Sequence, residues 1–410
     1  MLRNITVGID IGTYQVKVVV SEVIKENGKH TIQIIGMGLT ESKGLRHGYI
    51  INTKDVTESV RIAVGIAEKM SGVKIHRAYV AIGGIGLSGV TGNASAIVSR
   101  ADLEITELDM DKVTELCEKE LPLPLIQNRR IIQNIPLSYK IDGKLVFAKT
   151  PLGMKGSKLE VKMLFITSLE PHVNDLMIAV EEAGIEVIDV IPSPVAASFV
   201  TLTKQQKMVG CVLANIGAET ISIVVFENNI PISLEVFPIG GTDITNDIAL
   251  GLKIPLEEAE HIKVGGSSGS FSKKKLDEII SARLSDMFEL IENHLKKIGR
   301  NGLLPAGIFI TGGGSGIALV EDLAKTSLRL PSRLAHLNIL EQKNRTSPVR
   351  DREGLQRAPS SNGMKDSTWA TAYGLCMLGS SKEEKENLGL RPAVNKYGLK
   401  LISWFKQFLP

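Results

Sequence analysis

The sequence predicts a duplicated α/β fold in which two equivalent halves face each other across a cleft. Three observations carry that expectation. Ile9-Asp10-Ile11-Gly12-Thr13-Tyr14-Gln15-Val16-Lys17 is echoed by Ala214-Asn215-Ile216-Gly217-Ala218-Glu219-Thr220-Ile221-Ser222, each opening a half of the chain. Around each copy, three strand-like runs precede a helix and a further strand. Residues 85–165 break the scheme and read as a small inserted α+β unit.

In each copy an apolar strand reaches Asp10 or Asn215, turns at Gly12 or Gly217 and returns with β-branched residues, which is a hairpin pattern. Opposed turns would offer backbone N–H groups to a chain of phosphates, with glycine permitting close approach. Gly12, Thr13 and Tyr14 are candidate phosphate contacts in the first turn, as are Asn215, Gly217 and Ala218 in the second. Asp10 is a candidate for holding Mg²⁺ through water, because that ion keeps most of its hydration shell beside phosphates. Lys17 is either the nearest cation or a solvated strand residue.

The remaining elements follow from period and punctuation. Val56, Val60, Val64 and Ala67 mark a helix over 53–70, and 79–82 reads as a buried strand ending at Gly83-Gly84. Within the insertion, strands near 90–99 and 131–141 flank a helix at 109–119 that starts with acidic residues. A helix at 171–183 closes at Gly184, before a strand at 187–191. In the second half, a third strand at 232–238 leads to Gly240, Gly241 and Thr242, candidate nucleotide contacts, and a helix through residue 250. A charge-rich helical stretch at 255–300 precedes the strand 307–311, then Gly312-Gly313-Gly314-Ser315 and a helix at 317–325. Those glycines would let the backbone pass under a flat base or sugar, and the helix start would add N–H donors. Glu260 and Lys263, three apart on one helical face, either bracket a ribose or form a surface ion pair. Residues 341–367 read as a polar loop, 369–378 as a packed helix and 380–395 as a linker.

Composition narrows the function classes. A net charge of +3 and only 4% aromatic residues give no basic, aromatic-interleaved stripe, so no nucleic-acid partner is expected. Cys117, Cys211 and Cys376 are isolated, which fits a reduced, cytoplasmic setting rather than a disulfide framework or zinc site. No signal peptide and no long uncharged apolar span is visible, so the expectation is a body neither exported nor threaded through a membrane.

The last twelve residues carry a separate signal. On a helical wheel Leu401, Ile402, Trp404, Phe405, Phe408 and Leu409 fill one arc, and Lys400 and Lys406 lie on the other with Ser403 and Gln407. No acidic residue follows Glu386. Such a helix is marginal in water and is expected to form at an anionic membrane surface, with reversible attachment. The alternative is a helix docked on the protein's own core.

The order of elements resembles the actin, heat-shock-chaperone and sugar-kinase superfamily, and more closely the FtsA family of bacterial actin homologues of cell division. VGIDIGTYQVKVVV is similar to the family's first phosphate segment, NIGAETISIVVF to its second and IFITGGGSGI to its adenosine segment. FPIGGTDITNDIALGL and EEAEHIKVGGSS resemble the stretch between them. The resemblance implies ATP with Mg²⁺ as cofactors and an actin-like, ribonuclease H-like fold. Subdomain 1A would comprise 1–84 and 166–205, with subdomain 1C inserted at 85–165. Subdomain 2A would comprise 206–245 and 305–379, with 2B at 246–304. A linker at 380–398 and a membrane-targeting helix at 399–410 would complete the chain.

The resemblance further implies self-association into filaments and anchoring of FtsZ filaments, through the FtsZ C-terminal peptide, to the cytoplasmic face of the membrane at the division site. Later division proteins would be further partners. Two departures stand out: the superfamily's second segment carries Asp-x-Gly-Gly-Gly-Thr where this chain has Asn215, Ala218 and Glu219, and its chaperones carry Glu where Ser193 precedes Pro194. Losing both carboxylates implies slow or absent hydrolysis, and Glu219 would repel phosphate. A pilus-assembly actin homologue and a sugar kinase or phosphatase are the alternatives.

Overall fold

The repeated hairpin forms in both halves of the chain. The computed structural model describes residues 4–26, 29–148, 150–266, 271–337 and 366–387. β1 (Ile5–Ile11), β2 (Gln15–Glu26) and β3 (Lys29–Glu41) pair antiparallel in succession. A ribbon of β4 (Leu45–Arg46) and β5 (Tyr49–Ile50) follows, turning on His47 and Gly48, both at positive φ as a two-residue hairpin turn requires. Asn52 then caps α1 (Thr53–Ser71), its side chain accepting the Lys54 and Asp55 N–H groups, and the stripe Val56, Val60, Val64 and Ala67 is buried. β6 (Arg77–Ile82) pairs parallel to β1 on the side away from β2.

The insertion comprises β7 (Ser88–Ile97), α2 (Glu107–Lys119), α3 (Leu123–Ile126), β8 (Arg129–Ile141), β9 (Lys144–Val146) and β10 (Lys158–Leu169). Its strands form their own antiparallel sheet in the order β7-β10-β8-β9, with a separate core around Val113, Cys117, Leu159 and Phe165. The Asp109 carboxylate fixes the start of α2. Burial alone would raise its pKa, but donors from Thr106 and Ser99 hold it at about 2.

The chain returns through α4 (Glu170–Glu182) to β11 (Glu186–Pro192), parallel to β6, and then α5 (Ser193–Thr201) and α6 (Lys204–Val209). The second half consists of β12 (Cys211–Ile216), β13 (Ile221–Glu227), β14 (Ile230–Phe237), α7 (Gly241–Leu252), α8 (Leu256–Lys263), α9 (Lys273–Lys297), β15 (Gly307–Thr311), α10 (Val320–Leu328) and β16 (Ser332–Leu334). Its sheet order, β14-β13-β12-β15-β16, matches β3-β2-β1-β6-β11 position by position. Even the irregularity repeats: pairing slips between Val20 and Ser21 in one hairpin and between Val225 and Phe226 in the other. The fold is thus actin-like, α/β and duplicated, with an α+β insertion.

α11 (Ala370–Asn387) closes the described chain, packing beside α5 on β1 and β2. One core joins Ile9 and Val18 of the first sheet, Val195 and Ala196 of α5 and Leu375 of α11 to Leu213 and Val224 of the second sheet. The helix runs past residue 380, where the sequence predicted a linker, because Ser380 is buried and its hydroxyl donates to the Thr6 hydroxyl at 3.1 Å. All three cysteines are free and buried. Among the described residues, no helix is long and apolar enough to cross a membrane.

Candidate nucleotide cleft

The two glycine turns are built alike. The Gly12 N–H donates to the Gln15 carbonyl at 3.1 Å, and the Gly217 N–H to the Thr220 carbonyl at 2.9 Å. The glycine amides therefore close their own turns, which corrects the expectation that Gly12 offers its backbone N–H to a ligand. The amides of Thr13, Tyr14, Ala218 and Glu219 make no hydrogen bond to the described residues. Successive free N–H groups in a turn form an anion-binding concavity. Tyr14 is exposed, and its carbonyl accepts the Ser42 N–H at 2.9 Å.

β1 delivers Asp10 directly opposite Lys17 of β2. Burial pushes the Asp10 carboxyl up to about 6, with the Lys17 ammonium opposing the shift. Burial likewise lowers the Lys17 pKa, against the attraction of Asp10 and Asp366. The ammonium donates to the Thr368 carbonyl at 2.8 Å and stands 5.7 Å from the Trp369 ring centroid. Lys17 is therefore not a solvated strand residue. No hydrogen bond from the described residues reaches the Asp10 carboxylate. A desolvated carboxylate of this kind fits a hydrated divalent cation. Among the described residues no group of three or more His, Cys, Asp or Glu could hold a metal ion, so Mg²⁺ here would be held by Asp10 through water, beside phosphate.

Gly240, Gly241 and Thr242 dock on the second turn rather than facing a ligand with free amides. The Gly241 N–H donates to the Gly217 carbonyl at 2.9 Å and the Thr242 N–H to the Ala218 carbonyl at 2.7 Å. A Cβ on Gly240 would lie 2.4 Å from the Ala218 carbonyl oxygen, so only glycine permits this approach. Lys263 and Glu260 brace the same place. The Lys263 ammonium contacts Glu260 at 2.6 Å and donates to the Gly241 carbonyl at 3.0 Å and the Thr245 hydroxyl at 2.8 Å, while that hydroxyl donates to Glu260 at 2.5 Å. Burial opposes ionisation of Glu260, but the Lys263 and Thr245 donors more than offset it and hold its pKa below the usual value. The Lys263 side chain is 12% exposed and the Glu260 side chain 46%, so this relay joins α7 to α8 from a buried ammonium to a solvent-facing carboxylate. Sequence reasoning missed Thr245, although it lies four residues after Gly241 on one face of α7.

The third glycine segment touches the second turn from its other side. Gly312 has φ +87°, and a Cβ there would stand 2.2 Å from Asn215 Oδ1. Asn215 thus packs against this segment. A Cβ on Gly314 would meet the Ile216 side chain at 2.4 Å, whereas Gly313 faces open space. Both the N–H and the hydroxyl of Ser315 donate to the Gly312 carbonyl. A 3-10 turn at Gly313–Gly316 precedes the helix expected at 317–325, and α10 starts only at Val320.

Beside the shared core, two polar links among the described residues span the halves at the cleft. A 3-10 turn at Ser367–Trp369 receives Lys17 from the first half, while its Ser367 carbonyl accepts the Thr311 hydroxyl of the second at 2.9 Å. The Glu219 carboxylate accepts the His47 N–H at 2.5 Å. Sequence spacing gave no sign of that contact. Ser193 is buried at the start of α5, its hydroxyl 3.1 Å from where a Cβ on Gly83 would stand. The expected membrane-binding residues, from Lys400 to Leu409, lie outside the described residues.

Comparison with known proteins agrees with the fold. Residues 212–374 match the family model described as cell division protein FtsA, and residues 88–167 match the SHS2 domain inserted in FtsA. Cell division protein FtsA of Bacillus subtilis (strain 168) is 31% identical over 360 residues, spanning 82% of this chain and 80% of that protein. The FtsA protein of Pseudomonas aeruginosa is 29% identical over 350 residues, spanning 80% and 82%. Among solved structures, a PilM-PilN type IV pilus biogenesis complex superposes with a TM-score of 0.63 at 15% identity, covering 92% of this chain and 98% of that one. The ethanolamine utilization protein EutJ from Carboxydothermus hydrogenoformans gives 0.51 at 14% identity, covering 92% and 90%. With its insertion matched and its similarity spread over most of its length, the chain belongs to the FtsA family of cell division proteins.

Proposed function

We propose that this cell division protein binds ATP with Mg²⁺ in the cleft, assembles into filaments, and tethers FtsZ filaments to the cytoplasmic face of the membrane at the division site. The observation that carries the nucleotide reading is the pair of matched turns with unengaged amides at Thr13, Tyr14, Ala218 and Glu219, beside the desolvated Asp10. In this reading those amides take phosphate oxygens and Asp10 orients the hydrated metal ion. Gly313 leaves room for the nucleoside, and Lys263 with Glu260 braces the second turn. Bound Mg²⁺ would supply charge neutralisation between phosphates.

Asn215 takes the position in the second half that Asp10 has in the first, so the second turn brings no such carboxylate. Slow or absent hydrolysis follows. Family membership supports FtsZ as partner, with its C-terminal peptide received by the 246–304 region around α8 and α9, and later division proteins joining the scaffold. The subdomain divisions given above are adopted with it. The tail at 399–410 would bring the protein to an anionic inner-membrane surface. A pilus scaffold is the weaker reading, because likeness to the PilM-PilN structure is one of fold at 15% identity.

Co-sedimentation tests this assignment. The full chain with ATP and Mg²⁺ is expected to pellet with vesicles containing anionic lipid and to carry a peptide from the C-terminus of an FtsZ protein down with it. Saturable peptide binding that never appears, with or without vesicles, would contradict it.

A further inference from the structure

β3 ends the first sheet, and its outer edge pairs with no other strand among the described residues. α1 lies directly over it: a Cβ on Gly38 would collide with the Ala63 carbonyl, and one on Gly36 would stand 2.7 Å from that of Ala67. Val56, Val60 and Val64 fill the core on one flank of that contact. On the other flank Ile62, Ile66 and Met70 recur every four residues and are 46%, 41% and 41% exposed. Met70 shows that this flank overhangs the sheet edge, because its sulfur, a weak acceptor, takes the Met37 N–H of β3 at 3.3 Å. The result is an apolar strip about 12 Å long beside an open edge.

We propose that segment 399–410 of the same chain docks on this strip when no membrane is present, so that docking and lipid insertion compete for one apolar face. The proposal rests on the membrane reading of that segment given above. Leu401, Ile402, Trp404, Phe405 and Phe408 form an apolar arc of helical period, and two helices laid side by side bury such arcs against each other. The place where the described chain ends makes the reach short. The Ser380 hydroxyl of α11 meets Thr6 of β1, Thr6 pairs with Ser21 of β2, and Ser21 with Ile34 of β3. Two strand spacings, about 10 Å, therefore separate α11 from the open edge. Residues 388–398 can span up to about 36 Å, enough to carry the segment around that edge to α1.

The full chain holds two tryptophans, the buried Trp369 of the body and Trp404 of the tail, so acrylamide quenching reads the tail. The parent, the double variant Ile62→Ser/Ile66→Ser and a control, Phe147→Ser at an exposed ring of the insertion, are quenched without lipid and then titrated with vesicles containing anionic lipid. Urea unfolding checks that all three fold. A tail docked about ten to one lowers its apparent vesicle affinity about 10-fold. The double variant should therefore bind vesicles roughly 3-fold to 10-fold more tightly and quench at Trp404 about 3-fold faster, with the control unchanged. Equal quenching and equal vesicle affinity in parent and double variant overturns the proposal. Shielding of Trp404 that depends on protein concentration also overturns it, since the strip then joins two copies. If no protein binds vesicles, the membrane reading and the competition fall together, and faster Trp404 quenching in the double variant still establishes the docking.

Discussion

Asp10 gives the sharpest prediction, because its ionisation works against the empty fold and in favour of the loaded one. Burial carries its pKa from 3.8 to about 6, a value that already includes the attraction of Lys17. Between those values the folded chain holds a proton that the unfolded chain has released, so this group's contribution to stability falls as pH rises and is fully lost above about 6. Asp10→Asn keeps the shape of the neutral form and removes the titration. Without nucleotide and metal it should stabilise the protein by about 3 kcal/mol at pH 7.5 and by about half that at pH 5. The assay is urea unfolding of both proteins in chelator at the two pH values. A variant equally or less stable than the parent at pH 7.5, or a gap independent of pH, would refute the burial argument. With Mg²⁺ and nucleotide present the sign should reverse, since the charge then has a partner.

Other consequences follow from the packing. Gly240→Ala places a methyl 2.4 Å from the Ala218 carbonyl and should cost about 1–3 kcal/mol while weakening nucleotide binding, as calorimetric titration would reveal. Thr245→Val deprives Lys263 and Glu260 of their shared hydroxyl and should cost about 1–3 kcal/mol in chemical unfolding. Lys17→Met removes the cation opposite Asp10, so the Asp10 carboxyl should titrate higher still, visible as an upward move of its carboxyl carbon NMR titration midpoint. Deleting residues 399–410 should abolish sedimentation with anionic vesicles while leaving nucleotide affinity unchanged, and raised salt should weaken the intact chain's attachment.

The parts legible in the sequence were those written in local periodicity. Both hairpins, the buried stripe on α1 and the insertion after Gly84 follow from alternation, three-to-four spacing and glycine punctuation. What escaped depends on where each amide points. Gly12, Gly217, Gly241 and Thr242 look like donors to a ligand in sequence, yet each donates to a turn carbonyl instead. The polar run after residue 379 reads as a linker until Ser380 is seen against Thr6, although its Lys and Glu residues are good helix formers. The contact from Glu219 to His47 joins residues 172 apart and has no periodic signature. Only the glutamate in a glycine position hinted at it.

The central claim is that both turns grip one nucleotide. Hydrogen-exchange mass spectrometry of the full chain, with and without saturating ADP and Mg²⁺, tests it directly at the amides of Thr13, Tyr14, Ala218 and Glu219. Protection of both turns together, lost in Asp10→Asn when the metal ion is needed to bridge them, is the predicted result. Protection of one turn alone, or of neither at saturation, would contradict the account.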